Sequence, residues 1–279
     1  MVFKKLCFKE EKTLFTRKAL HLLKIPVMKL SYLFLLFFGF TAMTQNRFVT
    51  IAASSEYVSG AEDIQKFSSY DFSSLIKGRE DDVRYGIIGD AYKRIRIRIT
   101  EVVKDKQNPN LYHITGRSKV GNNREDFEGI LILEHVRSLK TVIREGGSPV
   151  SVYEGVVHGT YEFREPKDRI HSGIFEGSYE GKFLITAEGA LLYNDLDLSR
   201  DAYLNNVYQG FWTDYTTLKA KACKWADFRV PDVPYSFDGG AGEFVPSEQY
   251  NDKGWKSYRD AFLNNDATAR EQEKETWWE

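Results

Sequence analysis

The sequence predicts an all-β protein: an antiparallel meander of about eight to ten strands that closes into a barrel or a related sandwich, with a short C-terminal helix. Three observations predict this fold. Apolar and polar residues alternate over long stretches after residue 91, which is the period of a strand with one packed face. Aromatic residues, which pack well on a pleated sheet, are abundant, with 19 Phe, 16 Tyr and 5 Trp. Short turn clusters separate the alternating stretches, as is typical of antiparallel neighbours.

The first clear strand lies at residues 92–103, where isoleucines alternate with Arg94, Arg96 and Arg98. This alternation predicts that the isoleucines face the interior and that the arginines face water. The same pattern predicts further strands at residues 112–120, 127–136, 153–164 and 175–185, and two more within 205–229.

A short repeat of an aromatic residue, Glu and Gly runs through these strands. It occurs at Phe127-Glu128-Gly129, Tyr153-Glu154-Gly155, Phe175-Glu176-Gly177 and Tyr179-Glu180-Gly181. Large and absent side chains that alternate on one face fill the taper of a small barrel, and glycine lets a strand bend. We therefore interpret the repeat as architectural. The interior of an eight-stranded barrel is wide enough for side chains or for one small ligand.

The C-terminal region is predicted to form a short helix. Trp255, Tyr258 and Phe262 recur at the spacing of one apolar helix face. A highly charged tail follows this helix.

The N-terminus is predicted to be an export signal. Residues 30–43 form an uncharged apolar run, which eight basic residues precede, and small side chains at Ala42 and Thr44 make a cleavage site before Gln45. The alternative is an uncleaved membrane anchor, although a spanning helix needs about 18 to 20 apolar residues. Met28 would make a compact start, so residues 1–27 are also consistent with a mis-assigned start codon. The predicted location is the periplasm, the outer surface or the extracellular medium.

Four regions follow from this reading. They are the signal peptide at 1–44, an N-terminal extension at 45–85 whose residues 45–68 are predicted to be exposed, a β-barrel-like domain at 86–246, and the C-terminal helix with its charged tail at 247–279. Without residues 1–44, which hold eight of the 39 basic and two of the 40 acidic residues, the chain keeps 31 basic and 38 acidic residues and a net charge of −7. Nucleic-acid binding needs a basic face, so we predict no nucleic-acid partner. Contact with a membrane is expected only through an uncleaved leader.

Motifs for common catalytic and cofactor sites are missing from the sequence. It contains no phosphate-binding glycine loop between a strand and a helix, no G-x-S-x-G elbow, no H-E-x-x-H and no paired C-x-x-C, so we predict no cofactor and no metal. His113, His158 and His171 lie on predicted strands, where the polar neighbours of the first two favour surface histidines over ligands. A glycosidase needs two carboxylates across a cleft, whereas the glutamates of the repeat are predicted to point outward into solvent.

The stretch from Trp212 to Glu243 is the most distinctive part of the sequence. Aromatic rings beside Asp and Arg would stack on a sugar and bind its hydroxyls, or the same residues would plug one end of the barrel. The candidate ligand-binding residues are therefore Trp212, Tyr215, Trp225, Asp227, Arg229 and Glu243, together with Phe175 and Tyr179 on the predicted inner face. No residue is predicted to be catalytic.

Several segments resemble recurring segments of uncharacterised exported proteins of Gram-negative bacteria. They are residues 112–118, 171–177, 223–231 and 240–244, and the likeness spans roughly residues 90 to 258. The strand pattern is also similar to lipocalin-like barrels in general. The resemblance implies an exported barrel, but it carries no known activity to any residue.

Two functions of different class are consistent with the sequence. The first is a non-catalytic binding or envelope-associated protein for a small apolar or glycan ligand, or for a partner protein. The alternative is a carboxylate-dependent hydrolase of envelope polysaccharide.

Cleavage of the leader is directly testable. When the full chain is expressed in a Gram-negative host, we expect the mature protein to leave the cytoplasm and to begin at Gln45, because signal peptidase cuts after a small-residue site. N-terminal sequencing and intact-mass measurement check this result. A membrane-bound chain that keeps residues 30–44 would show an anchor instead.

Overall fold

Ten strands and five short helices follow one another in the part of the chain that this computed structural model describes. The described residues are 62–79, 83–139, 151–196, 198 and 201–279. The predicted signal peptide lies outside them. Among the described residues, no helix is both long enough and apolar enough to cross a bilayer.

The described residues contain far more strand than helix. The strands are β1 (Glu62–Asp63), β2 (Arg84–Ile88), β3 (Lys93–Lys104), β4 (Leu111–Val120), β5 (Asn123–Ser138), β6 (Tyr153–Arg164), β7 (Gly173–Ile185), β8 (Leu191–Tyr193), β9 (Asn205–Asp214) and β10 (Ala220–Asp227). The α-helices are α1 (Ser73–Lys77), α2 (Lys256–Phe262) and α3 (Ala267–Glu273), and the 3-10 helices span Ile64–Phe67 and Glu248–Lys253.

Eight of these strands close into an antiparallel barrel. Along the ring, each strand from β2 to β6 pairs with the next strand in the chain. The ring then continues from β7 to β9 and from β9 to β10, and β10 pairs with β2. The two short strands lie outside this ring, with β1 paired to β5 and β8 to β7. Closure gives every strand of the ring a paired neighbour on both sides, which protects the barrel from edge-to-edge association. The predicted fold class is confirmed, including the helix near the C-terminus, which is α2.

The inner face of the barrel is filled by side chains. Ile95, Ile97 and Ile99 of β3 are at most 2 % exposed, as their alternation predicts. Aromatic rings occupy the centre, where Tyr208 and Trp225 stack with ring centroids 5.1 Å apart. Such rings contribute large apolar areas and preferred offset or edge-on contacts. The interior is a packed core.

Glycines of the repeat allow neighbouring strands to approach. Gly177 of β7 lies opposite Gly210 of β9. A Cβ on Gly177 would overlap the carbonyl oxygen of Gln209, and a Cβ on Gly210 would overlap that of Glu176. Backbones this close tolerate only glycine, which supports an architectural role for the repeat at this position.

One end of the barrel is closed by the chain that precedes β2. Leu75 and Ile76 of α1 are fully buried, and the ring of Phe72 meets that of Phe183 edge-on at 5.2 Å. The prediction of an exposed extension is wrong for Ile64 and Phe67, which are 5 % and 7 % exposed. Their burial depends on the barrel mouth, which local sequence periodicity does not reveal.

A buried polar cluster holds this segment in place at the barrel end, and we call the segment the plug. Nε of Arg84 on β2 lies 2.6 Å from Oδ1 of Asp227 on β10, and both side chains are at most 5 % exposed. The Arg84 guanidinium also donates to two carbonyl oxygens at the end of α1, and Asn206 donates to a third and to Asp227. The last carbonyls of a helix have no partner within the helix. The cluster therefore satisfies them and joins α1 to three strands.

The C-terminal segment packs on the outside of β2, β3 and β4. Trp255 is fully buried, and its ring meets that of Phe237 edge-on at 5.4 Å. Glu273 of α3 accepts hydrogen bonds from Tyr85 at 3.0 Å and from Arg94 at 2.9 Å. This contact brings the charged tail onto the barrel wall.

The prediction that the arginines of β3 face water is wrong for Arg96 and Arg98. Arg96 and Arg98 are only 7 % and 8 % exposed, because the tail covers them. The guanidinium carbon of Arg96 lies 5.5 Å from the ring centroid of Trp277, and that of Arg98 lies 5.1 Å from that of Trp278. Cation–π contacts of this kind stabilise a packed guanidinium. The alternation of apolar and polar residues correctly predicts which face of β3 points into the barrel. It wrongly predicts solvent around the other face.

Removal of the buried cation should destabilise the barrel strongly. We expect Arg84→Met to lower the free energy of unfolding by about 3 to 5 kcal/mol, because Asp227 then stays buried without its counter-charge. The matched control is Arg117→Met. The Arg117 side chain is 36 % exposed and that of its partner Asp126 is 68 % exposed, so this ion pair should contribute about 0 to 1 kcal/mol to stability. Urea unfolding of both variants measures the difference, and equal losses would contradict the role of the cluster.

Docking of the tail should depend on pH through Glu273. Burial alone would raise the pKa of this carboxyl, but Arg94, the Ser257 hydroxyl and Arg96 outweigh it and lower the pKa below the ordinary value of 4.5. A depressed native pKa gives stability that is present above the unfolded pKa and is lost as pH falls through the native one. The stability difference between the native chain and Glu273→Gln should therefore be constant near neutral pH and shrink below about pH 4.5.

The control for this pH series is Glu271→Gln. Glu271 pairs with Lys274 at the surface, where both side chains are at least 70 % exposed. Its effect on the free energy of unfolding should be small at every pH. A difference for Glu273→Gln that grows on acidification would contradict the assignment.

Candidate functional site

A cleft opens in the barrel wall where β5 and β6 separate. Pairing of β4 with β5 continues to the start of β5, at Val120 and Asn123. Pairing of β5 with β6 begins only at Glu128 and Arg164, so residues 123–127 pair with β4 alone. The resulting wall cleft has a volume of about 730 Å³, which is within the usual range for small-molecule sites. Its lining comprises Thr100, Thr115, Gly116, Arg117, Asp126, Phe127, Glu128, Arg164, Glu165, Pro166, Lys167, Tyr215 and Trp278.

Glu165 forms the buried floor of the wall cleft and is 5 % exposed. Its Oε1 accepts from the Ser118 hydroxyl at 2.7 Å, and its Oε2 accepts from the Gly173 N–H and the Trp212 indole N–H, both at 2.9 Å. Burial raises the pKa of the Glu165 carboxyl, and these three hydrogen bonds oppose that rise. The carboxyl thus joins β4, β7 and β9 beneath the cleft.

Two partly exposed aromatic residues lie on the wall cleft. The Tyr215 hydroxyl donates to the carbonyl oxygen of Glu165 at 3.1 Å, which fixes the ring beside the floor. Trp278 belongs to the C-terminal tail, and its ring packs against the guanidinium of Arg98. The ammonium of Lys167 lies 5.8 Å from the ring centroid of Tyr215. The aromatic surfaces therefore come from two separate segments outside the barrel.

Charged groups of both signs surround these rings. Arg117 and Asp126 are joined at 2.6 Å, while Arg164 pairs with a neighbouring glutamate outside the cleft. Within the described ranges, Glu128 and Lys167 take part in no ion pair or hydrogen bond through their side chains, so both are available to a ligand. The cleft thus offers donors and acceptors around two apolar ring faces.

A second cavity lies outside the barrel, between the chain around β8 and β9 and the end of α2. Its volume is about 300 Å³. Its lining comprises Leu198, Tyr203, Phe228, Gly242, Glu243, Phe244, Tyr258, Phe262 and Leu263. We call it the aromatic cavity.

Three of the eight candidate residues from the sequence lie at these two sites. Tyr215 lines the wall cleft, and Trp212 lies beneath it, bound to Glu165. Glu243 lies in the aromatic cavity instead.

The other five candidates lie elsewhere. Phe175, Tyr179 and Trp225 are at most 1 % exposed inside the barrel core. Asp227 belongs to the cluster that holds the plug, at the opposite ends of β9 and β10 from Trp212. Arg229 binds a buried aspartate and two carbonyl oxygens of the loop after β10. The structure therefore does not bring the eight residues together in one site.

Several cleft residues were missed by sequence reasoning. Glu165 and Lys167 belong to the turn between β6 and β7, which has the composition of an ordinary turn. Trp278 is visible in the sequence only as part of an aromatic pair in the tail. No local signal shows that these residues meet.

The histidines form no ligand set in the described residues. No three His, Cys, Asp or Glu side chains there are placed to hold a metal ion. His113 is exposed and contacts Asp105 at 2.9 Å. His158 was predicted to face solvent, but its side chain is only 12 % exposed and its ring stacks on that of His135 at 4.7 Å. Burial, followed by His135 and Arg137, lowers the pKa of His158 to about 3.

Comparison of this chain with protein-family models, with curated proteins and with solved structures found no match. The functional proposal therefore depends on the geometry of the wall cleft.

Proposed function

We propose that this protein is a non-catalytic binding protein and that the wall cleft holds a glycan. The observation that carries the proposal is the pair of partly exposed rings, Tyr215 and Trp278, set among Arg117, Glu128 and Lys167 in one open cleft. A pyranose ring offers an apolar C–H face to an aromatic ring and hydroxyls to charged neighbours. The cleft provides both kinds of contact.

The packed interior favours this surface site over an internal ligand. Phe175, Tyr179 and Phe183, which would line a hollow barrel, are each at most 1 % exposed. They contact other core rings, including Trp225 at 5.7 Å from Phe175. A small apolar ligand within the barrel consequently has no support from these residues.

Export to the envelope is part of the same proposal. The predicted leader at 1–44 and the resemblance to exported lipocalin-like barrels motivate it. A net charge of −7 for the chain without its leader disfavours nucleic acid as the ligand.

A hydrolase remains the second candidate, because a buried carboxyl with a raised pKa in a cleft is a frequent general acid. Glu165 is such a group. Both of its oxygens already accept hydrogen bonds, from Ser118, Gly173 and Trp212, and it is 5 % exposed. A general acid must reach the leaving oxygen of the substrate, and this hydrogen-bonded arrangement favours a structural role.

Binding of defined glycans tests the proposal. The probes are chitotetraose, cellotetraose and maltotetraose, titrated calorimetrically into the full chain. We expect at least one to bind saturably, with Tyr215→Ala and Trp278→Ala each weakening it about threefold to tenfold through loss of ring stacking. The matched control is Tyr235→Ala, which removes a tyrosine that is 83 % exposed and does not line the cleft.

Two results would overturn the proposal. One is the absence of saturable binding for all three probes, and the other is an equal loss of affinity in Tyr235→Ala and in the two cleft variants. Incubation of the same probes with the native chain and with Glu165→Gln distinguishes the hydrolase. Shortened products from the native chain alone would favour the second candidate.

A further inference from the structure

Five aromatic rings converge on the aromatic cavity from two sides. On one side, Tyr203 and Phe228 meet edge-on with centroids 5.4 Å apart. On the other side, Tyr258 contacts Phe244 at 5.4 Å and Phe262 at 4.8 Å. The opening between the two groups has a volume of about 300 Å³. The rings therefore form the walls of an open cage.

Two of these rings are exposed although large apolar side chains usually pack. Phe228 is 42 % and Phe262 is 49 % exposed. Phe228 also has a φ of 73°, a left-handed conformation that costs free energy for any residue with a bulky side chain. Backbone strain of this kind persists only where the surrounding structure imposes it, and it is frequent at ligand sites.

Negative charge lies at the edge of the aromatic cavity. Glu243 is exposed and lines the cavity. Oδ1 of Asp201 lies 3.4 Å from the position that a Cβ on Gly242 would occupy, so a second carboxylate stands at the same edge. Neither carboxylate pairs with a cation among the described residues. Burial raises the pKa of the Tyr258 hydroxyl, and carboxylates that include Glu243 raise it further.

We propose that the aromatic cavity binds an alkylammonium cation. Ring faces attract a cation through their quadrupole, and aromatic cages recognise quaternary ammonium groups in this way. The two carboxylates at the edge add attraction for positive charge. The site is separate from the wall cleft, shares no lining residue with it, and does not depend on glycan binding.

One ring of the cavity already accepts an ammonium group. Nζ of Lys182 lies 5.4 Å from the ring centroid of Tyr203. Over the rings of Phe228 and Phe262, no Lys or Arg from the described residues is found. These two exposed faces are consequently the ones available to a ligand.

Choline and its neutral isostere test the charge dependence. Choline and 3,3-dimethyl-1-butanol have almost the same shape, so each is titrated into the full chain and followed calorimetrically. We expect choline to bind saturably and the neutral alcohol to bind about five- to tenfold more weakly. Equal binding of the two, or no saturable binding of choline at millimolar concentrations, overturns the proposal.

Substitutions locate the binding. Phe228→Leu and Phe262→Leu keep an apolar side chain but remove the ring, and each should weaken choline binding about threefold to tenfold. Glu243→Gln should weaken it by removal of charge with little change in shape. The control Tyr235→Leu removes an exposed ring elsewhere and should leave binding unchanged. Phe262→Leu lies at the exposed end of α2, so it stays informative if Phe228→Leu fails to fold.

Two further probes distinguish the sources of such a cation. Phosphocholine represents a lipid or glycan headgroup, and an acetylated trimethyllysine amide represents a protein side chain. The carboxylates at the edge should repel the phosphate, so we expect the trimethyllysine probe to bind more tightly. Tighter binding of phosphocholine would overturn the role of Glu243 and Asp201. Glycan titrations with the same variants stay unchanged if the two sites are independent.

Discussion

The ion pair between Arg84 and Asp227 lies where the barrel closes, and the rest of the structure depends on it. Arg84 begins the first barrel strand and Asp227 ends the last one, so the pair stands at the β2–β10 junction that completes the ring. The same guanidinium binds the final carbonyls of α1, which places the plug over the barrel mouth. Two charges are costly to bury, and the hydrogen bonds around the pair help to offset that cost. The same Arg84 side chain consequently takes part both in closing the barrel and in attaching the plug.

The two ends of the barrel differ in how buried charge is compensated. At the plugged end, a cation and a carboxylate neutralise each other. At the cleft end, Glu165 is buried without a Lys or Arg partner among the residues that the structure describes, and neutral donors from Ser118, Gly173 and Trp212 bind it. Hydrogen bonds from neutral groups compensate a buried carboxylate only in part, which is why the pKa of Glu165 remains raised. Glu165 lines the same cleft as the separated ends of β5 and β6.

Local pattern predicts the strands of this protein well and the surroundings of their outer faces poorly. The alternation in β3 correctly places Ile95, Ile97 and Ile99 in the core. It also predicts solvent around Arg96 and Arg98, because period-two patterning records only which side chains are apolar. The tail that covers them, with Trp277 and Trp278, is far away in sequence. Such a contact is tertiary and has no local signature.

The candidate site was predictable to a similar degree. The aromatic residues near Asp and Arg include Tyr215, which lines the wall cleft, and Trp212, which lies beneath it. Trp225 and Asp227 belong to the same stretch of sequence but to the core and to the other end of the barrel. Because a β-strand of ten residues spans roughly 33 Å, neighbours along one hairpin can end up at opposite ends of the fold. Proximity in the sequence therefore indicates which kinds of residue could bind a ligand, but not which of them lie together in the structure.

A packed interior determines where recognition can occur in this barrel. Since core rings occupy the space that a hollow barrel would offer, ligands can meet only the outer surface and the connecting segments. Both proposed sites are built there: Tyr215 follows β9, Phe228 follows β10, and Phe262 and Trp278 belong to the C-terminal segment. Loops on a rigid scaffold are where binding groups usually lie. The barrel contributes rigidity, and the chain after β9 contributes most of the exposed aromatic surface at these sites. Different ligands at the proposed sites would thus require changes in this outer chain and none in the core.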